Sequence, residues 1–132
     1  MKKSPVVHFE MPAKDKARVS KFYTDAFGWE MQVMGPEFGN YVVATTTESD
    51  DKGPKNPGAI NGGFFERDDN KPGMNSTSVV ISVDNLDEAV ENVKKAGGEI
   101  QGEPMDIPGV GNYVAFHDTE GNRVGLLQPS MG

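Results

Sequence analysis

The chain gives one pattern twice. The segment VVHFEMPAKDKARVSKFYTDAFGWEMQ begins at residue 6, and STSVVISVDNLDEAVENVKKAGGEIQG begins at residue 76, an ungapped offset of 70 residues. At that offset His8 falls on Ser78, Val19 on Ala89, Tyr23 on Val93 and Gly28 on Gly98. Few residues are identical, yet apolar, helical and turn positions superimpose. Each copy reads as a short strand, a polar turn, one helix and a glycine stop. A unit of this size cannot bury its own sheet, so two copies are expected to share one core, and function is to be sought where they meet.

The helices can be placed by their caps and periodicity. The first runs from Asp15, a candidate N-cap, to Gly28, with Val19, Phe22, Tyr23, Ala26 and Phe27 at helical spacing. This stripe is expected to face a sheet. In the second copy Asn85 and Glu88 form a candidate capping box. Leu86, Ala89, Val90, Val93 and Ala96 then repeat the stripe until Gly97-Gly98 ends it.

Strand signals precede and follow each helix. Expected strands are 5–11, 29–34, 40–46 and 59–65 in the first copy, and 78–83, 99–105, 113–117 and 123–128 in the second. The layout is βαβββ, repeated. The polar stretch TESDDKGPKNPG (47–58) reads as a surface excursion able to move or to fold over a pocket mouth. A second polar stretch, ERDDNKPGMNST (66–77), reads as the link between modules. DTEGN (118–122) is a tight hairpin connection, and EPMDIPGVGN (103–112) a shaped loop and pocket rim. The expected organisation is one domain: module one at about 1–66, a linker at about 67–76, and module two at about 77–132.

Composition removes several function classes. A net charge of -7 with only 13 Lys and Arg argues against a nucleic-acid surface. No run of apolar residues suits a membrane span or a cleaved leader, and the absence of cysteine excludes disulfides and thiolate chemistry. A soluble, cytoplasmic protein with a small-molecule partner is expected.

The doubled βαβββ layout, HFEMPAKD entering the first helix, KFYTDAFGW leaving it, SVDNLDEAVENVKKAGG in the second module and FHDTEGNRVGLLQP closing the chain together resemble the vicinal oxygen chelate superfamily. This is the glyoxalase, bleomycin-resistance and dioxygenase group. The resemblance spans about Val6 to Gln128 and implies an α+β fold in which two βαβββ modules pair around a central cleft, often in a homodimer. It also implies metal ligands on the first and last strand of each module in the metal-dependent members. Here those positions match His8, Ser78, Gly62 and Gly125. Three of the four lack the expected donor, so no cofactor is expected; a divalent metal, if bound, would use His8.

Other site residues follow from the sequence alone. Strand alternation puts His8 and Glu10 on one face, where they form a candidate acid/base pair. Gly62-Gly63 within an apolar strand marks a bend or space left for a ligand. Trp29, Tyr41, Phe64, Tyr113 and Phe116 are candidate apolar walls, with His8, Gly62, Ser78 and Gly125 as further lining. The expected function is therefore binding of a small, partly apolar molecule without the family metal. Its rival is a lyase or isomerase of glyoxalase type, metal-dependent or acid/base, using His8 and Glu10.

Overall fold

The computed structural model describes residues 2–130. Their contacts form two compact units, residues 8–77 (the N-terminal unit) and residues 2–7 with 78–130 (the C-terminal unit). The sequence starts module one at residue 1, whereas the structure gives the first residues to the other unit. The cause is local: the Ser82 N–H donates to the Pro5 carbonyl at 2.9 Å, and exposed Lys2 pairs with Asp84.

In the N-terminal unit the order is β1 (Val6–Ala13, which enters this unit at His8), α1 (Lys16–Phe27), β2 (Glu30–Val33), β3 (Val42–Thr45), β4 (Ser49–Asp50), β5 (Gly53–Pro54) and β6 (Asn61–Glu66). Its sheet runs β2-β3-β6-β1, with β1 parallel to β6 and the other pairs antiparallel. The small β4–β5 hairpin lies inside the polar excursion and was not expected from the sequence. The C-terminal unit contains β7 (Ser78–Ser82), α2 (Leu86–Lys95), β8 (Glu99–Ile107), β9 (Gly111–His117) and β10 (Arg123–Pro129). Its sheet order, β7-β10-β9-β8, again has one parallel pair, β7 with β10. The stretch 103–112, expected as a loop, is mostly the arms of the β8–β9 hairpin, with a register shift between Gln101 and Met105.

Both helices start and stop for the reasons legible in the sequence. The Asp15 carboxylate accepts from the Arg18 N–H, and the Asn85 side chain accepts from the Glu88 N–H. Gly28 ends α1 with φ 72°, a left-handed conformation that glycine adopts without penalty. The DTEGN turn is held by Asp118. Its carboxylate accepts from the Asn122 side chain and from the Asn122 and Glu120 N–H groups, which keeps it below the usual carboxylate range.

Each sheet has a helix-covered face. Val42, Ala44 and Phe64 form the buried centre of the N-terminal unit, with Phe9, Met11, Val19, Tyr23, Trp29 and Met31 packed around them. In the C-terminal unit Val83, Leu86, Val114, Phe116 and Leu126 are the centre, flanked by Ala89, Val90 and Val93 of α2. The first helix departs from expectation: Phe22 and Phe27 are 57% and 63% exposed. Val19 and Tyr23 enter the core, while Phe22 and Phe27 pack edge-to-face against each other outside it.

Candidate functional site

Alternation along each strand decides which side chains can serve a site. Phe9 and Phe64 point to the α1 side, so His8, Glu10 and Gly63 lie on the opposite, helix-free face of the N-terminal sheet. In the C-terminal unit Ile81, Val114, Val124 and Leu126 belong to the helix-side core. Ser78, Tyr113 and Gly125 therefore occupy its helix-free face.

The helix-free face of the N-terminal unit is organised by one hydrogen bond. His8 Nε2 lies 2.9 Å from the Tyr41 hydroxyl, which donates to it or accepts from it according to the imidazole tautomer. Both rings are half-buried, and burial pushes the His8 pKa below its usual value because desolvation disfavours the imidazolium. Tyr41 is delivered by the turn after β2, which contains the short 3-10 helix Pro36–Phe38 and Asn40 at φ 58°. The turn closes with the Met34 N–H donating to the Tyr41 carbonyl at 2.8 Å. Glu10 stands two residues beyond His8 on the same face, opposite Gly63 in the parallel register.

The glycines have a different role from the expected one. A Cβ added at Gly63 would collide with the Tyr41 ring, and one at Gly125 would lie 2.6 Å from the Tyr113 ring. Gly62 is covered by the Phe9 ring on the helix side. Space at each glycine is thus taken by an aromatic ring of the same unit, and Gly62 belongs to the core instead of the helix-free face. Register also corrects the pairing of the two copies. Gly63 sits opposite Val43 with Tyr41 diagonal to it, and Gly125 sits opposite Ala115 with Tyr113 diagonal to it. The counterpart of Gly125 is therefore Gly63, one residue from the Gly62 expected.

Three expected wall residues are core residues. Trp29 stacks on Tyr23 at 4.7 Å between ring centroids and 12° between planes, Phe64 is 2% exposed, and Phe116 packs in the α2 cluster. Aromatic type alone did not reveal the face; the period-two pattern of β6 and β9 would have, since Phe64 and Phe116 alternate with Gly63 and Ala115. Gly63, singled out in the sequence only together with Gly62, was not placed among the lining residues, and the same alternation was its signal.

Ser78, the counterpart of His8, is 6% exposed, and its hydroxyl has no hydrogen-bond partner among the described residues. At the positions related to the family's metal ligands, Ser78, Gly63 and Gly125 supply no imidazole or carboxylate, and His8 Nε2 is hydrogen-bonded to Tyr41. Among the described residues no three His, Cys, Asp or Glu side chains come together in a way that could hold a metal ion. An open groove of about 410 Å³ at the start of α1 includes Lys14, Arg18, Phe22 and Arg67, but Asp69 pairs with both Lys14 and Arg67. It lies apart from the His8–Tyr41 face.

Comparison with known proteins gives this arrangement its class. The model of the Glyoxalase/Bleomycin resistance protein/Dioxygenase superfamily matches residues 6–126. A glyoxylase-like domain-containing protein from Didymella fabae is 33% identical over 117 residues, covering 86% of this chain and 84% of that protein. The anthracycline biosynthesis protein DnrV of Streptomyces peucetius is 30% identical over 130 residues, and the match covers 86% of this chain but 42% of DnrV. The crystal structure of methylmalonyl-CoA epimerase from Mycobacterium tuberculosis shares the fold, with a TM-score of 0.68 at 13% identity over 96% of this chain and 88% of the epimerase. The chain belongs to the glyoxalase, bleomycin resistance protein and dioxygenase superfamily. Its α+β architecture is shared with methylmalonyl-CoA epimerase. No helix among the described residues is long and apolar enough to cross a membrane.

Proposed function

We propose that the chain binds a small, partly apolar molecule on the helix-free face of its N-terminal unit, against His8 and Tyr41, and does so without the family metal. The observation that carries this reading is the 2.9 Å His8–Tyr41 hydrogen bond beside Gly63. A desolvated imidazole held by a phenol offers a polar anchor, while Tyr41 and Val43 supply apolar contact, the mixture small-molecule sites use. Ser78, Gly63 and Gly125 in place of metal donors support the metal-free part. Two measurements test it together. Metal analysis of protein purified without chelators should give far less than one metal per chain, and a ratio near one that is lost in His8→Ala would sink the metal-free reading. A thermal-shift panel including an anthracycline and methylmalonyl-CoA, compounds named by the relatives, should yield a stabilising ligand; unchanged affinity for it in Tyr41→Leu would remove the site.

An acid/base lyase or isomerase is the second reading, favoured by His8 and Glu10 sharing one face of β1. A neutral imidazole at pH 7 can accept a proton, and Glu10 on the same face is a candidate partner. Exchange of a carbon-bound proton with deuterated solvent, abolished in His8→Asn while binding persists, is its expected signature. We also propose a homodimer. Strands β2 and β8 are sheet edges, and Val33 and Met105 on them are 52% and 56% exposed. Sedimentation at micromolar concentration should show a species near twice 14.3 kDa; a monomer throughout would refute it.

A further inference from the structure

We infer that the ligand of this face carries a planar, conjugated ring system that lies flat on a shelf made by His8 and Tyr41 over Gly63; the inference rests on the binding site proposed above. The shelf follows from three observations. The His8 and Tyr41 ring planes are 20° apart with centroids separated by 6.5 Å, and the rings are joined by a 2.9 Å hydrogen bond between Nε2 and the hydroxyl. Such a bond joins the outer tips of the rings, and the centroids can be that far apart only if the tips point at each other. The two rings therefore lie end to end and nearly coplanar. Underneath, Tyr41 rests where a Gly63 side chain would otherwise stand. Any larger residue would lift or tilt the phenol, so glycine is what lets the shelf lie flat against the sheet.

A flat pair of rings selects by shape and electronics. One face of the Tyr41 ring is covered by Gly63, and His8 and Tyr41 are each only half-buried. A conjugated bicyclic or tricyclic ligand can offset-stack on both, whereas a puckered saturated ring of similar size touches them at a few hydrogens. The stacking advantage is roughly two- to tenfold for each aromatic contact. The C-terminal unit repeats the tyrosine over glycine, Tyr113 on Gly125, but has Ser78 where the imidazole would extend the surface. It offers half a shelf, which favours the N-terminal unit for the larger ring system.

The test is an amide NMR titration with 2-naphthoate and its saturated counterpart decahydro-2-naphthoate, which share the carboxylate and differ in planarity. Naphthoate is expected to shift the Gly63 and Val43 amides and to bind roughly tenfold more tightly than the saturated probe. Tyr41→Phe, which keeps the ring and loses the hydrogen bond, should retain most of that preference, and Tyr41→Leu should lose it, with folding of each variant checked in the same spectra. Equal affinity of the two probes at Gly63 would overturn the planar-ring inference and leave the binding site standing. No shift at Gly63 from either probe would overturn both, and a preference unchanged in Tyr41→Leu would overturn the shelf.

Discussion

The two units use the same sheet register and the same tyrosine over the same glycine, yet their first strands differ in kind. In the N-terminal unit the position carries His8, bonded to Tyr41; in the C-terminal unit it carries Ser78, buried with no hydrogen-bond partner among the described residues. A duplicated scaffold thus separates structural from chemical demands. The tyrosine–glycine pair recurs because it fits a ring onto a sheet, whereas the group beside it is free to diverge.

The sharpest challenge to this comparison is to the cores, which should behave alike. Phe64→Ala and Phe116→Ala are each expected to lose about 3–5 kcal/mol of stability in urea titrations, as buried aromatics do. A loss well under 1 kcal/mol for either would return that residue to the role of ligand wall. Next come the glycines. Gly63→Leu and Gly125→Leu should each cost about 1–3 kcal/mol by overpacking against a tyrosine ring. The loss at Gly125 should shrink when Tyr113→Ala is added; strictly additive losses would mean that the ring and the glycine are not coupled.

The polar substitutions should separate the units. His8→Asn is expected to lose about 0.5–1.5 kcal/mol with its hydrogen bond, while Ser78→Ala, which removes an unsatisfied buried hydroxyl, should leave stability equal or higher. Equal losses at both positions would erase the distinction. The smallest effect is in pH. Because the folded pKa of His8 lies below its ordinary value of 6.5, the unfolded chain binds the proton more readily. His8's contribution is complete above pH 6.5 and is lost as pH falls through the lower folded pKa. Urea midpoints measured downward from pH 7.5 should fall more steeply for the wild type than for His8→Asn; parallel profiles would show that His8 is not desolvated.

Local features were legible in the sequence. Asp15, Asn85 and Gly28 cap the helices as their residue types dictate, and both four-stranded βαβββ units were visible from the 70-residue offset. What was not legible depends on pairing between strands distant in the chain. Recognising Gly63 instead of Gly62 as the counterpart of Gly125 took the β3–β6 register, which the intervening polar stretch hides from sequence counting, whereas the face that Gly63 occupies was legible in the alternation of β6. The β4–β5 hairpin has strands of two residues, too short for any alternation. Assigning Trp29, Phe64 and Phe116 to a pocket treated aromatic character as a signal when the face of the strand was the deciding quantity. The ownership of residues 2–7 by the other unit was equally hidden, since nothing in MKKSPVV names its partner.

That ownership bears on the order in which the molecule is made. On the ribosome, every strand of the N-terminal unit has been synthesised by residue 77, and its sheet can form while the rest of the chain is still being built. Pro5 must wait for Ser82, so residues 2–7 find their place only after the first strand of the C-terminal unit has been made.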